Sequence, residues 1–235
     1  MVILTGDTHR DFARIFEFCE EYGTTRDDIL VILGDAGINY CLDESDEALK
    51  RELSRLEVTL LCVHGNHEER PSEILSYGEV EWHGGLVYAE PEFPNLLFAK
   101  DGEIYDLEGR TVMAIGGAYS VDKYYRIANR LPWFESEQPS DAIKSFVESQ
   151  LDKVNWQVDY IFSHTAPLGF EPRHAFLPGL NQSLVDKTTE KWLGGILRRV
   201  RCGGWFCGHY HIDDQLGPVR ILYNEFLELD TDVKP

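Results

Sequence analysis

Five short apolar runs in this chain each stop at a small residue and are followed at once by a cluster of Asp, Asn or His. The clusters are Gly6-Asp7-Thr8-His9, Gly34-Asp35, Gly65-Asn66-His67-Glu68, Ser163-His164-Thr165 and Gly208-His209-Tyr210-His211. This recurrence constrains the fold strongly. In a parallel α/β sheet the carboxyl ends of the strands converge on one crevice, so clusters far apart in sequence can meet at one point. Glycine at the exits allows a sharp departure from the strand and a close backbone approach. In an extended segment residues i and i+2 share a side, so Asp7 with His9, and His209 with His211, are each expected to offer two groups to one point.

The remaining pattern agrees with an α/β class. Val2 to Thr5, Ile29 to Leu33 and Val58 to Val63 read as strands, separated by amphipathic helices that carry Phe12, Ile15, Phe16 and Cys19, then Leu49, Leu53 and Leu56. This βαβαβ order favours a parallel sheet covered by helices. Leu86 to Ala89, Leu96 to Ala99, Glu103 to Leu107 and Thr111 to Ile115 read as a meander of antiparallel strands. Residues 116–138 read as turns, Ser140 to Val154 as a helix, Tyr160 to Ser163 as a strand and 164–183 as a loop. A helix near 185–200, a strand at Trp205 to Cys207 and two last runs at Val219 to Tyr223 and Phe226 to Leu229 complete the chain. No linker composition or repeat breaks the 235 residues, and one domain over 1–235 is expected.

The net charge of −19 repels nucleic acid, whose binding rests on phosphate neutralisation by Lys and Arg. No apolar run reaches the roughly 18 residues of a membrane span, and the start of the chain lacks a signal-peptide layout. The five cysteines are odd in number, and none are spaced as CxxC, which argues against a disulfide framework or zinc ribbon and favours a reducing cytoplasm. Carboxylate, imidazole and amide donors instead suit divalent Mn first, with Fe, Zn or Co as alternatives. Two such ions sharing a carboxylate would stabilise both attack and departure in phosphoryl displacement.

The ordered set DxH, GD, GNHE, H and GHxH, from Asp7 to His211, resembles the calcineurin-like metallophosphoesterase superfamily. The resemblance implies a four-layer α/β sandwich, two facing mixed sheets flanked by helices. Carried onto these residues, it implies that Asp7, His9 and His211 hold one divalent ion, Asn66, His164 and His209 a second, and that Asp35 bridges them. His67 would be the acid near the leaving group. The chain departs from the protein Ser/Thr phosphatases of that superfamily. Asp35 runs into Ala36-Gly37-Ile38, and Val63-His64 precedes the third motif, so their phosphate-gripping arginines are missing at both places.

The implied activity is hydrolysis of a small phosphomonoester or phosphodiester by a hydroxide bridging two metals. The alternatives are a nuclease of the same superfamily, disfavoured by the acidic charge, and a non-catalytic scaffold, disfavoured because all seven ligand positions are filled. Without the usual arginines the substrate phosphate needs another cation. Arg126 and Lys123, after the Gly116-Gly117 strand end, are candidates, and His174 in the 164–183 loop is a third. Tyr119, Tyr124, Tyr125, Trp133 and Phe134 read as core packing rather than a stacking platform. His64 and His83 lie outside the pattern and read as structural.

Overall fold

Strands buried on both faces need nearly continuous apolar runs, and Val2-Ile3-Leu4 and Ile29-Leu30-Val31-Ile32 supply them. The computed structural model describes residues 1–176, 178–179 and 181–229. In chain order these form β1 (Val2–Thr5), α1 (Ala13–Tyr22), β2 (Ile29–Ile32), α2 (Glu44–Leu53), β3 (Thr59–Cys62), β4 (Gly78–Trp82), β5 (Gly85–Ala89), β6 (Leu96–Ala99), β7 (Ile104–Leu107), β8 (Arg110–Ile115), α3 (Lys123–Asn129), α4 (Asp141–Lys153), β9 (Tyr160–Ser163), α5 (Thr188–Leu197), β10 (Gly204–Cys207), β11 (Asp214–Leu216), β12 (Val219–Ile221) and β13 (Leu227–Glu228).

Two mixed sheets result, one of order β13-β1-β2-β3-β6-β5-β4 and one of order β11-β12-β10-β9-β8-β7. In the first, β1, β2, β3 and β6 run parallel. In the second, β8, β9, β10 and β12 do so. Register follows burial: Leu4 lies opposite Val31 and Val31 opposite Leu61, all three in the layer between the sheets, where they meet Ala114, Phe162 and Leu222. Their neighbours Ile3, Leu30 and Leu60 face the other way, against Ile15 and Phe18 of α1 and Leu53 of α2. On the far side Met113, Ile161 and Trp205 pack on Val147 and Leu151 of α4 and Leu193 and Ile196 of α5. The layers are therefore α, β, β, α, the four-layer sandwich. No helix among the described residues is long and apolar enough to cross a membrane.

The meander expected between residues 86 and 115 is divided instead. β5 and β6 close the first sheet, and the chain crosses over so that β7 and β8 open the second. β4 and β11 were not legible. β4 is an exposed edge strand, Gly-Glu-Val-Glu-Trp, whose acidic residues discourage pairing with another chain. Residues 116–138 hold more than turns, since α3 lies within them.

Helix α4 begins where Ser140 caps it, its side chain accepting from the Ile143 amide at 3.3 Å. Ser140→Ala is expected to destabilise the fold by about 1 kcal/mol, read as a lower urea midpoint at unchanged slope. An unchanged midpoint would remove the cap from the account of this helix.

Candidate metal centre

All five polar clusters follow the carboxyl ends of parallel strands: β1, β2 and β3 of one sheet, β9 and β10 of the other. The clusters lock to one another through backbone bonds. The amides of Thr8 and His9 donate to the Asp35 carbonyl at 3.2 and 2.8 Å, and that of Gly208 to the His164 carbonyl at 3.0 Å. The strand-exit glycines allow ligands to approach. A Cβ at Gly34 would lie 2.0 Å from His164 Nδ1, and one at Gly65 would lie 2.0 Å from Asp35 Oδ1.

The paired residues do not converge by β alternation, as their i, i+2 spacing suggested. His9, Asp35, His209 and His211 all have left-handed backbone, with φ of 46°, 51°, 71° and 53°. Each loop turns sharply after its strand, and the turn aims the side chains inward. His and Asp are among the residues that tolerate this region.

Three sets of donors each lie within 4.8 Å of one another: Asp7, His9 and His211; His9, Asp35 and His67; and Asp7, Asp35 and His164. Within the first, His9 Nε2 and His211 Nε2 face each other at 2.8 Å, and Asp7 Oδ2 lies 3.2 Å from His211 Nε2. That Asp7 oxygen is buried and has no hydrogen-bond partner among the described residues. A lone buried carboxylate oxygen facing two imidazole nitrogens fits a divalent cation. On the other side, His164 Nε2 is 2.9 Å from Asn66 Oδ1 and 3.5 Å from Asp35 Oδ1. His164 Nδ1 lies 2.9 Å from the Leu33 carbonyl, the bond that turns Nε2 toward the site. The His209 ring stands 5.0 Å from that of His164, yet belongs to none of the three compact sets. Cys41, Asp43 and Asp46 also lie close together. There the carboxylates are engaged with the amides of Cys41, Leu42 and Ser45 at the start of α2.

The buried acids and imidazoles of the site shift one another's ionisation. Burial would raise Asp35, but His164 outweighs it and holds the carboxyl well below its ordinary range. Burial likewise opposes, and Asp35 restores, the proton on His164, which is raised to about 9. Burial, reinforced by the charge on His164, lowers His209 to about 3. Burial also lowers His67 to about 4, Asp35 pulling the other way and Arg126 adding to the effect.

The three substrate candidates separate. Arg126 is buried on α3, bonded through Nε to Asp122 at 2.9 Å and through Nη1 to the Pro132 carbonyl at 3.2 Å. Its Nη2 contacts the His67 ring, so it reaches the site by way of His67. Lys123 lies over the Trp133 ring, 4.0 Å from its centroid. His174 stands 3.4 Å from Asp214, while its neighbours Ala175 and Phe176 line the cavity. Tyr124 and Tyr125 are exposed rather than packed, because α3 turns Arg126 inward instead. Tyr119 lines the cavity. His64 is buried with Nε2 3.1 Å from the Glu68 carbonyl, a structural place.

Several supporting residues have roles that no reading of the sequence assigned. Asn66 Nδ2 donates to Ser120 at 2.9 Å, which leaves Oδ1 turned toward His164. Glu68, fully buried, accepts from the amides of Gly37 at 3.0 Å and Gly65 at 3.3 Å and so ties two site loops together. Arg14 of α1 clamps the first cluster through the carbonyls of Gly6 and Asp7, both at 2.9 Å.

Glu190 of α5 also lines the cavity, and burial raises its carboxyl from 4.5 to about 7. Between those values the folded protein holds a proton that the unfolded chain has released, so this stabilisation is present at low pH and lost as pH rises through about 7. Glu190→Gln cannot ionise. Its stability relative to wild type is expected to rise by on the order of 1–3 kcal/mol between about pH 4.5 and pH 8 in urea unfolding. A pH-independent difference would refute the shift.

A search of curated proteins finds no relative. Among solved structures the fold is similar to TT1561 of Thermus thermophilus, at 12% identity and a TM-score of 0.51 over 94% of this chain and 87% of that one. A second structure matches at 16% identity and a TM-score of 0.52, over 94% of this chain and 88% of that one. A phosphopantetheinyl hydrolase from Mycobacterium tuberculosis matches at 16% identity and a TM-score of 0.44, over 100% of this chain and 98% of that one. At such identities the likeness is one of fold. The family model for calcineurin-like phosphoesterases matches residues 1–213, spanning all five clusters, and the chain belongs to that family.

Proposed function

We propose that this protein is a phosphoesterase that uses two divalent ions to hydrolyse small phosphomonoesters or phosphodiesters. One observation carries the reading. The buried Asp35 carboxylate lies 3.8 Å from His9 through Oδ2 and 3.5 Å from His164 through Oδ1, so it belongs to donor groups on both sides. Asp7, His9 and His211 would hold one ion, and Asn66, His164 and His209 the other, with Asp35 between them. Two divalent ions there supply Lewis acidity to the phosphoryl oxygens and lower the pKa of water.

The chain's own residues position the ester and handle its proton. His67 shares a compact donor set with His9 and Asp35, and its imidazolium form would give a proton to the departing oxygen. Its backbone amide donates to Asp35 Oδ1 at 2.7 Å, so the acid and the bridging carboxylate are held by one loop contact. Arg126, anchored on Asp122, contacts both ring nitrogens of His67 and so holds the ring in place. A cavity of about 470 Å³ opens beside Asp35, Asn66 and His67, a size suited to a small ester.

Strong chelation is expected to abolish hydrolysis of p-nitrophenyl phosphate and bis-p-nitrophenyl phosphate. Mn²⁺ should restore it better than Mg²⁺, because imidazole ligands suit Mn. Metal analysis of the restored protein should give two ions per chain. Full activity with one ion, or activity that survives chelation, would overturn the reading.

A further inference from the structure

Beyond the metal donors, three loops bring apolar side chains to the cavity of the site. Tyr119 and Val121 come from the loop after β8, Phe176 and Val185 from the segment between β9 and α5, and Tyr210 and Ile212 from the loop after β10. Val121 is 39% exposed and the other five are half-buried, so each retains surface to offer a ligand. The ionic groups of this lining are instead engaged within the protein. Asp122 accepts from Arg126 Nε at 2.9 Å, Glu171 from Lys187 Nζ at 2.6 Å, and Glu190 from the Thr165 hydroxyl at 3.0 Å. Gln182 and the Tyr119 hydroxyl add polarity without charge.

That wall bears on what the substrate carries beyond its phosphate. The Tyr210 hydroxyl lies 2.9 Å from that of Thr165, which is fully buried, so Tyr210 offers the cavity its ring. The Phe176 ring lies beside it, tilted by 20° with the centroids 6.4 Å apart. A charged alcohol would shed its hydration here against ionic groups already engaged. An apolar one takes both its own surface and that of the wall out of water.

We propose that this wall seats the alcohol part of the substrate and that the alcohol is uncharged and apolar; the phosphate end of this assignment rests on the phosphoesterase reading above. Val121, Phe176, Val185 and Ile212 are then specificity determinants, and the phosphate lies toward the metal donors.

The test uses ligands that cannot be hydrolysed. Straight-chain alkylphosphonates from methyl to hexyl are titrated calorimetrically into the Mn²⁺-loaded protein, beside ω-amino and ω-carboxy forms of the hexyl compound. Affinity is expected to rise about threefold per methylene, so the hexyl compound should bind roughly 10²-fold tighter than the methyl one. Both charged forms should lose most of that gain. Phenylphosphonate and cyclohexylphosphonate should each outbind methylphosphonate by about tenfold, and their order tells an aryl from an alkyl alcohol. In Phe176→Ala and in Val121→Asp the hexyl-to-methyl ratio should fall at least about threefold. As a ratio within one variant it is insensitive to partial loss of folded protein. The proposal is overturned if no phosphonate binds measurably, if affinity does not rise with chain length, if either charged form outbinds the hexyl compound, or if the ratio is unchanged in both variants. Hydrolysis of nitrophenyl phosphates without any chain-length dependence would remove this inference and leave the phosphoesterase reading standing. Chain-length dependence in a protein that fails to hydrolyse them would do the reverse.

Discussion

Replacing Asp35 by Ala is expected to lower kcat/KM for p-nitrophenyl phosphate by at least about 10³-fold and to leave less than one divalent ion per chain. Changes to groups behind a ligand cost roughly 10–100-fold, and a carboxylate shared between two donor sets should exceed them. Asp35 also accepts the His67 amide and has a left-handed backbone, so the Ala variant perturbs the loop as well as the charge. Asp35→Asn is the companion. It keeps the acceptor and tolerates the backbone while losing the charge, so metal and activity should fall with the unfolding midpoint near that of wild type. Two retained ions and a rate within tenfold of wild type, in either variant, would refute the bridging role.

For His67→Ala the expected signature is selectivity in the leaving group. A general acid contributes roughly 10²–10⁴-fold, and its benefit grows with the basicity of the oxygen that departs. Nitrophenolate leaves without help, whereas an alkoxide does not. The variant should therefore slow alkyl phosphoesters far more than nitrophenyl esters while keeping two ions, since His67 is not assigned as a ligand. His164→Ala, which removes a proposed ligand, should depress both substrates and weaken metal binding. If His67→Ala slows all esters equally with its metals intact, the ring acts by positioning the phosphate, as a neutral imidazole held by Arg126 would.

The polar clusters could be read in advance because each sits at the end of an apolar run, where strand burial and chemistry leave separate marks. The segments that escaped reading lack such marks. α3 is short, exposes Tyr124, Tyr125 and Ile127, and has no side-chain cap at Asp122, so no apolar periodicity announced it. Without that helix nothing could show that Arg126 would turn inward onto His67. β4 is exposed and has two acidic residues in five, which hides a strand from any search for buried alternation. Ser120 orients Asn66 from 54 positions away, a relation that exists only once β3 and the loop after β8 are brought together. The burial of Glu190 was equally hidden, because a glutamate in a helix looks like a solvated residue until the fold is known.

The left-handed backbone at His9, Asp35, His209 and His211 bears on how this protein could be engineered. That conformation is strained for most residues other than Gly, so among the eleven such non-glycine positions of the described residues, each a candidate for glycine substitution, four coincide with four proposed ligands. A selection for heat resistance alone has no means of sparing them, and a glycine accepted at any of the four would erase a proposed ligand. Hardening this scaffold without disarming it therefore requires a screen that scores metal retention and melting temperature together, with substitutions drawn from the outer helical layers.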